Sequence, residues 1–196
     1  MGKMNYFIRQ FGKPEGSFGR YLSGIMNISN RKMYRANLEK VNDAKKILEI
    51  GYGNGSQLQM IARRYPDARL YGIDISEDML SVARSRLGDK AELSVSDVSK
   101  IPYKSGFFDA VITTDTCYFW KDPGKVCKEI NRVLKSGGIF VNSMNTMYAR
   151  SVAKARNDEC ASDSDKLIGF FKEASFEVKY LQKLSGMEEQ LVFIKL

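Results

Sequence analysis

The sequence of 196 residues contains no histidine and three cysteines, Cys117, Cys127 and Cys160. Without histidine, the most common general base and metal ligand, acid–base chemistry would fall to carboxylates, tyrosine, lysine or water. The cysteine count is odd and shows no Cys-x-x-Cys spacing, which indicates neither a disulfide framework nor a zinc site. We therefore expect a cytoplasmic protein that holds no metal ion.

Long apolar runs are also missing from this chain. No stretch approaches the roughly 20 apolar residues that are needed to cross a bilayer. Arg9, Lys13 and Arg20 interrupt any signal-peptide core near the N-terminus. With 43% hydrophobic and 28% charged residues, the composition is that of an ordinary globular protein, and the length suits one domain.

Positive charge is concentrated in the first 40 residues. This segment has eight basic and two acidic residues, so it carries six of the eight net positive charges of the chain. Such a segment could meet nucleic acid, an anionic membrane surface or an acidic substrate, or it could be a solvated helix face. Its many aromatic residues predict ordered structure, with helices around residues 6–11 and 18–40 and a hinge at residues 12–16.

A glycine-rich turn joins an apolar strand pattern at residues 46–50 to a helical pattern at residues 57–65. Strand, glycine turn and helix open a nucleotide-binding α/β unit. The turn holds three glycines at alternate positions, Gly51, Gly53 and Gly55. This spacing is closer than the Gly-x-Gly-x-x-Gly of dinucleotide-binding folds. Glu49 precedes the first glycine by two residues, where it would repel a pyrophosphate but attract an ammonium or sulfonium group.

Strand and helix patterns alternate along the rest of the chain. Further strands are predicted at residues 69–73, 91–95, 108–113, 139–144, 176–184 and 191–196. Helices are predicted at residues 76–87, 122–134 and 162–174, in addition to the helix after the glycine turn. The short connection between the last two strands requires an antiparallel hairpin. The pattern therefore predicts an α/β fold with a doubly wound, mostly parallel seven-stranded sheet that ends in this hairpin.

The segment Glu49 to Gly55 resembles motif I of the class I S-adenosylmethionine (SAM)-dependent methyltransferases, in which an acidic residue precedes alternate glycines. The terminal hairpin is also the pattern of that fold, and the resemblance extends over residues 41–196. It implies a SAM-binding domain at residues 41–196 and a helical lid at residues 1–40. In detail, the chain resembles the small-molecule methyltransferases of ubiquinone and menaquinone biosynthesis.

Polar residues follow the predicted parallel strands at the edge where α/β sheets bind ligands. Asp74 lies 19 residues after Gly55, the distance at which a carboxylate reaches ribose hydroxyls, and Asp97 is placed to accept from an adenine amine. Each aspartate could instead cap a turn, Asp74 at Ser76 and Asp97 at Ser99. The residues that the resemblance assigns to SAM and its product S-adenosylhomocysteine (SAH) are Glu49, Gly51, Tyr52, Gly53, Gly55, Asp74, Ile75, Ser96, Asp97, Val98 and Thr114.

The sequence after the fourth strand, residues 113–120, carries no catalytic signature. It lacks the Asn/Asp-Pro-Pro-Tyr/Phe motif of enzymes that methylate the amino groups of bases or glutamine. Cys117 has no preceding proline, unlike the nucleophile of the cytosine-C5 enzymes, so a buried thiol is favoured. The aromatic run at residues 118–120 could line an acceptor pocket or anchor the next helix. By location alone, Asp115, Tyr118 and Tyr148 are candidates for a catalytic base.

The expected function is methyl transfer from SAM to a small-molecule acceptor by in-line displacement. An RNA methyltransferase that uses the basic first 40 residues is one alternative, and a SAM-binding regulatory protein without turnover is another. An NAD-dependent dehydrogenase is disfavoured because both the glycine spacing and Glu49 oppose it.

Overall fold

The computed structural model describes residues 12–13, 15–156 and 163–196. The helix predicted at residues 6–11, and Cys160, lie outside these residues. The chain forms one seven-stranded sheet in the order β3-β2-β1-β4-β5-β7-β6. The strands are β1 (Lys46–Ile50), β2 (Arg69–Asp74), β3 (Ala91–Val95), β4 (Phe108–Thr114), β5 (Leu134–Asn145), β6 (Phe176–Lys183) and β7 (Glu188–Lys195).

The described residues form helices on both faces of this sheet. They are α1 (Gly16–Ser29), α2 (Arg31–Lys40), α3 (Ser56–Arg64), α4 (Glu77–Leu87), α5 (Pro123–Val133), α6 (Thr146–Arg156) and α7 (Ser164–Glu173). None of the helices in the described part of the chain has both the length and the apolarity that crossing a bilayer requires.

Five strands of the sheet run parallel, and the last two complete it in antiparallel fashion. The register places Ile47 of β1 beside Leu70 of β2 on one side and Ala110 of β4 on the other. β7 pairs antiparallel with both β5 and β6. The predicted α/β class, the seven strands and the terminal hairpin are all confirmed.

Three local predictions differ from the structure. The helix expected at residues 18–40 is two helices that meet at Asn30, which ends α1 and begins α2. β5 begins at Leu134, directly after α5, and not at residue 139, because Leu134 already pairs with Phe108 before a shift in register. Helix α6 was not predicted, because its apolar positions are sparse and three basic residues interrupt them.

The core consists of two clusters separated by the sheet. In β4, Val111 packs in the cluster beneath α5 and α7, whereas Ala110 and Ile112 pack in the cluster beneath α3 and α4. This alternation follows from the two-residue period of a strand. Because helices cover both faces, a ligand can approach the parallel strands at their ends.

A buried hydrogen-bond network fastens α2 to the sheet. The side chain of Asn37 donates to Thr114 Oγ1 at 3.0 Å and accepts from Ser143 Oγ at 2.6 Å and from Gln190 Nε2 at 2.8 Å. Thr114 in turn donates to Gln57 Oε1 at 2.8 Å. Removing a partner from such a network leaves a buried polar group unsatisfied, which costs about 1–3 kcal/mol. The network therefore fixes the position of the N-terminal helices against the carboxyl end of β4.

Candidate functional site

A cavity of about 840 Å³ lies at the carboxyl edge of the parallel strands. The loops after β1, β2, β3 and β4 all contribute to its wall, and so do α1, α2, the start of α5 and the end of α6. Ligand pockets in proteins commonly measure about 300–1,000 Å³, so this one has the size of a binding site.

The glycine turn forms one wall of this cavity, and its glycines have different surroundings. A Cβ on Gly51 would lie 2.4 Å from Thr116 Cγ2, and one on Gly55 would lie 2.9 Å from Leu87 Cδ1. A Cβ on Gly53 would meet nothing within 4 Å, and Gly53 lines the cavity. Gly53 thus presents bare backbone to open space, as close approach of a ligand requires, whereas Gly55 is a packing position outside the cavity lining.

Asp74 lies at the end of β2, with its carboxylate between the turn and the cavity. Oδ2 accepts from the backbone N–H of Gly53 at 2.8 Å, and Oδ1 accepts from the backbone N–H of Ser76 at 2.9 Å. The capping interaction at Ser76 is therefore present. The backbone N–H of Ile75 also contributes a hydrogen bond, and because a carboxylate offers about four acceptor sites, acceptor capacity remains for a ligand hydroxyl. Burial raises the pKa of Asp74, although the backbone hydrogen bonds oppose this rise.

Seven further residues that were expected to contact the cofactor do line the cavity. They are Gly51, Tyr52, Ile75, Ser96, Asp97, Val98 and Thr114. Asp97 Oδ1 accepts from the backbone N–H of Ser99 at 2.8 Å, so this aspartate also caps a turn. The hydroxyl of Thr114 is already engaged by Asn37 and Gln57. That these seven residues contact a cofactor stays a prediction.

Glu49 lies outside the cavity wall. Its side chain is buried beneath the glycine turn and accepts a hydrogen bond from the backbone N–H of Leu58, in the first turn of α3. Burial, reinforced by the charge of Asp74, raises the pKa of Glu49 well above its usual value. Glu49 is therefore placed to support the turn from below, and its raised pKa favours the neutral carboxyl in the absence of a cation.

Asp115 is the acidic residue that follows β4. It is 4% exposed, lines the cavity, and has a φ of 57°, in the left-handed region that non-glycine residues seldom adopt. Its Oδ1 accepts from the backbone N–H of Asn145 at 2.7 Å. Burial raises the pKa of Asp115 to about 6, so the carboxyl is ionised at neutral pH. A buried acid with this backbone conformation in a cavity wall is a candidate functional position.

The aromatic run after Asp115 is divided between the cavity and the core. Phe119 and Trp120 line the cavity, whereas Tyr118 is buried beside it. Cys117 is fully buried and donates to Met144 Sδ at 3.7 Å. Burial raises the pKa of the Cys117 thiol to about 12, which removes it as a nucleophile. Tyr148 is half-buried and lies outside the cavity wall.

Two residues of the cavity wall carry a buried donor without a partner. The hydroxyl of Tyr52 and the indole N–H of Trp120 make no hydrogen bond to any residue that the structure describes, and both atoms are removed from solvent, so neither faces the open cavity. The fit to a cofactor depends instead on Gly53, where a Cβ would meet nothing within 4 Å, and on the carboxylate of Asp74 in the same wall. Open backbone beside a carboxylate acceptor suits a polar organic cofactor with hydroxyl donors.

The sequence analysis expected a lid at residues 1–40 but named none of its residues. Those that line the cavity are Ser23, Met26, Asn27, Asn30 and Tyr34. Ser23, Met26 and Asn27 follow an i, i+3, i+4 spacing that places them on one face of α1, and polar residues at that spacing were the available signal. The amide of Asn54, in the glycine turn, also reaches the backbone oxygen of Ser23 at 3.4 Å. The N-terminal helices thus close over the turn.

Comparison with known proteins gives the family. A methyltransferase domain model matches residues 48–142. The chain is 36% identical over 132 residues to the uncharacterized methyltransferase YdaC of Bacillus subtilis, an alignment that covers 67% of this chain and 71% of YdaC. The chain belongs to the class I SAM-dependent methyltransferases. Binding of SAM follows from this membership.

Two further comparisons place this methyltransferase among its relatives. It is 32% identical over 122 residues to the demethylmenaquinone methyltransferase of Thermotoga maritima, covering 62% of this chain and 52% of that protein. A SAM-dependent methyltransferase structure from Aquifex aeolicus superposes with a TM-score of 0.73 at 17% identity, covering 90% of this chain and 98% of that one. The chain spans about half the length of the demethylmenaquinone methyltransferase, and the structural likeness shows the fold.

Alanine at Gly53 and at Gly55 should have different effects on this methyltransferase. Both glycines have positive φ, so each substitution strains the backbone by about 1–2 kcal/mol. In Gly55→Ala the new methyl group also meets Leu87 and Ala83, so this variant should lose more thermal stability. In Gly53→Ala the methyl group enters the cavity, so SAM affinity should fall at least about tenfold.

The two variants serve as controls for each other, with melting temperature and the SAM dissociation constant measured on both. A folded Gly53→Ala protein with wild-type SAM affinity would contradict the assignment of this wall to the cofactor.

Asp115→Asn should stabilise the protein at neutral pH. The pKa of Asp115 rises from 3.8 to about 6 on folding, so the folded state binds the proton more tightly than the unfolded chain. The free energy of unfolding therefore falls as the pH rises from about 4 to about 6. At pH 7.5 the Asn variant should be more stable than wild type by about 1–3 kcal/mol, and the difference should vanish near pH 4.

Urea unfolding at several pH values measures this effect, and Asp109→Asn is the opposite control. Although partial burial raises the pKa of Asp109, hydrogen bonds from Lys135 and from the backbone N–H of Lys46 bring it below its usual value. Its substitution should therefore destabilise at neutral pH. If the difference in unfolding free energy between Asp115→Asn and wild type did not change with pH, ionisation of Asp115 would not be the cause of that difference.

Proposed function

We propose that the protein transfers a methyl group from SAM to a small-molecule acceptor by in-line displacement. The observation that carries this proposal is one continuous cavity of about 840 Å³ that is lined both by the glycine turn and by Asp115, Phe119 and Trp120. A volume near the upper end of the ordinary range accommodates a cofactor and a small acceptor together.

The proposed cofactor positions follow the order of the strands. Neighbouring parallel strands lie about 4.8 Å apart, and the order β3-β2-β1-β4 presents Asp97, Asp74, the glycine turn and Asp115 in succession. Asp97 with Ile75 and Val98 would hold the adenine, Asp74 the ribose hydroxyls, and the turn the methionine part. SAM supplies an activated methyl group, so the protein's main task is to align donor and acceptor within about 3–3.5 Å.

We assign the acceptor to the end of the cavity beside Asp115. Met26, Tyr34, Phe119 and Trp120 give this end an apolar and aromatic wall. With a pKa of about 6, Asp115 is ionised at neutral pH and is the carboxylate that would receive a proton from an acceptor hydroxyl or amine. A role as proton acceptor would account for the positive φ of Asp115, since such conformations cluster at active sites.

Helices α1 and α2 would act as the lid. They supply five residues of the cavity wall, and the Asn37 network fixes α2 to the strand that carries Asp115. At the other end of α1, the backbone N–H of Gly16 donates to Asp78 Oδ2 at 2.6 Å. A covered cavity excludes water, which strengthens electrostatic interactions inside it.

The buried acids also favour a cationic ligand. Burial raises the pKa values of Glu49, Asp74 and Asp115, so their ionisation at neutral pH is costly in the free protein. An opposite charge nearby lowers that cost. The sulfonium of SAM supplies this charge, whereas the thioether of SAH lacks it.

Binding and turnover test the proposal. By isothermal titration calorimetry, SAM should bind at micromolar affinity and NAD should not. With methyl-labelled SAM, SAH should form in the presence of a panel of quinols, phenols, amines and carboxylic acids, and no label should reach RNA. NAD binding without SAM binding would overturn the cofactor assignment. Labelled RNA would favour the alternative based on the basic segment, and SAM binding without transfer to any acceptor would favour a regulatory protein.

Asp74→Ala should weaken SAM binding at least about tenfold, because a carboxylate that accepts two ribose hydroxyls makes two charge-assisted hydrogen bonds of about 1.5–3 kcal/mol each. Asp74→Asn keeps one acceptor oxygen and should fall between wild type and Ala. Since Asp74 also bonds Gly53 and Ser76, both variants should lose thermal stability as well.

Ser76→Ala is the matched control for this loss of stability. Ser76 Oγ accepts from the backbone N–H of Met79 and caps the same helix, α4, but Ser76 does not line the cavity. Ser76→Ala should therefore lower the melting temperature and leave the SAM dissociation constant unchanged. Equal SAM affinity in Asp74→Ala and Ser76→Ala would remove ribose recognition from Asp74.

A further inference from the structure

The outward face of α1 carries an exposed apolar stripe, formed by Tyr21, Ile25 and Ile28. These side chains are 69%, 48% and 79% exposed. Their spacings of four and three residues place them within about 60° of one another around the helix axis. A surface helix in water normally turns its apolar face inward, so this stripe needs a separate explanation.

The inward face of α1 has the opposite character. Ser23, Asn27 and Asn30 lie on this side and contribute polar groups to the cavity wall, with Met26 among them. Asn27 Oδ1 accepts from the hydroxyl of Tyr34 at 3.1 Å. The helix is therefore inverted relative to an ordinary surface helix, since its polar residues face the protein and its apolar residues face outward.

Basic residues follow this stripe along the chain. Helices α1, α2 and α6 together contain eight basic residues and one acidic residue, Glu39. Arg31, Lys32 and Arg35 are exposed just beyond the end of α1. Arg150 and Lys154 are exposed on α6. An exposed apolar face bordered by Lys and Arg is the pattern of a helix that lies in the interface of an anionic membrane.

Other exposed apolar side chains occur at the same edge of the sheet. Met147 begins α6 just after the carboxyl end of β5, and Met187 lies in the turn between β6 and β7. The two segments are joined, since the backbone N–H of Thr146 donates to the carbonyl of Met187 at 2.7 Å. The stripe and these methionines thus lie at the edge of the sheet that holds the cavity.

We propose that this face of the protein, with the stripe of Tyr21, Ile25 and Ile28 at its centre, docks on an anionic lipid surface. Exposed Arg31 and Lys32 directly follow the stripe, which suits an anionic surface, and its apolar side chains have no role in binding phosphates of RNA. Insertion of the stripe among the headgroups would bury the apolar side chains while Arg31 and Lys32 meet lipid phosphates. The cavity would then lie beneath the membrane surface. This proposal does not depend on the proposed acceptor.

Vesicle co-sedimentation with the full chain tests the docking. Wild-type protein should bind vesicles of equal parts phosphatidylcholine and phosphatidylglycerol, and should bind pure phosphatidylcholine far more weakly. The double variant Ile25→Ser/Ile28→Ser should lose at least about tenfold in partition coefficient. Arg31→Glu/Lys32→Glu should lose binding to the anionic vesicles to a similar extent.

Matched controls come from the opposite edge of the sheet. Leu196, 68% exposed after the end of β7, and Lys90, exposed before β3, lie far from the stripe in the fold. Leu196→Ser and Lys90→Glu should bind vesicles like wild type. All substituted side chains are exposed, so melting temperatures should stay within a few degrees of wild type.

Four results would overturn the proposal. The first is a wild-type protein that does not bind the anionic vesicles. The second is a stripe variant that binds them as wild type does. The third is sedimentation velocity that shows a wild-type dimer and a monomeric stripe variant, because the stripe would then face a second copy of the chain. RNA binding that is lost in Arg31→Glu/Lys32→Glu but kept in the stripe variant, without vesicle binding, would equally count against it.

Discussion

The hydrogen bond from the backbone N–H of Gly53 to the carboxylate of Asp74 is the interaction on which the site depends. It joins the end of β2 to the turn after β1, so two neighbouring strands together fix the shape of the glycine turn. Contacts within the turn add to this bond, since Asn54 Oδ1 accepts from Ser56 Oγ at 2.9 Å and the backbone N–H of Gly55 donates to the carbonyl of Tyr52 at 2.8 Å. The backbone N–H of Gly51 also donates to the carbonyl of Ile73 at 2.8 Å, which continues the pairing of β1 with β2 into the turn. This part of the cavity wall is therefore attached to the sheet beneath it.

Buried negative charge is the second constraint on this site. Glu49, Asp74 and Asp115 lie at or beneath the ends of β1, β2 and β4, where each is largely removed from water. Burial raises the pKa of each of them, so ionisation of these groups costs more folding free energy than it would in water. Functional sites commonly carry such costs. For a methyltransferase the sign is appropriate, because the donor is a sulfonium cation.

Helices α1 and α2, which cover the cavity, are attached to the sheet by buried hydrogen bonds. Asn37 contacts Thr114, Ser143 and Gln190, which belong to three different strands. This arrangement fixes α2 against the sheet. Helix α1, which ends just before Asn30, extends across the cavity. The same placement exposes Tyr21, Ile25 and Ile28, because the inward face of α1 is occupied by polar residues of the cavity wall.

The sequence by itself determined the fold class and predicted which strand ends line the cavity. Strand periodicity, the alternate glycines after β1 and the short connection before β7 are local features, and local features survive in a single sequence. It also placed Asp74 and Asp97 at strand ends. Only the tertiary structure decided that Glu49 lies beneath the turn, that Asp115 is a strained buried acid, and that α1 turns its polar face inward. These three features depend on contacts between residues that are far apart in the sequence, such as Asn37 and Gln190, and on burial. Burial shifts the pKa of an acid and cannot be read from the order of residues in the chain.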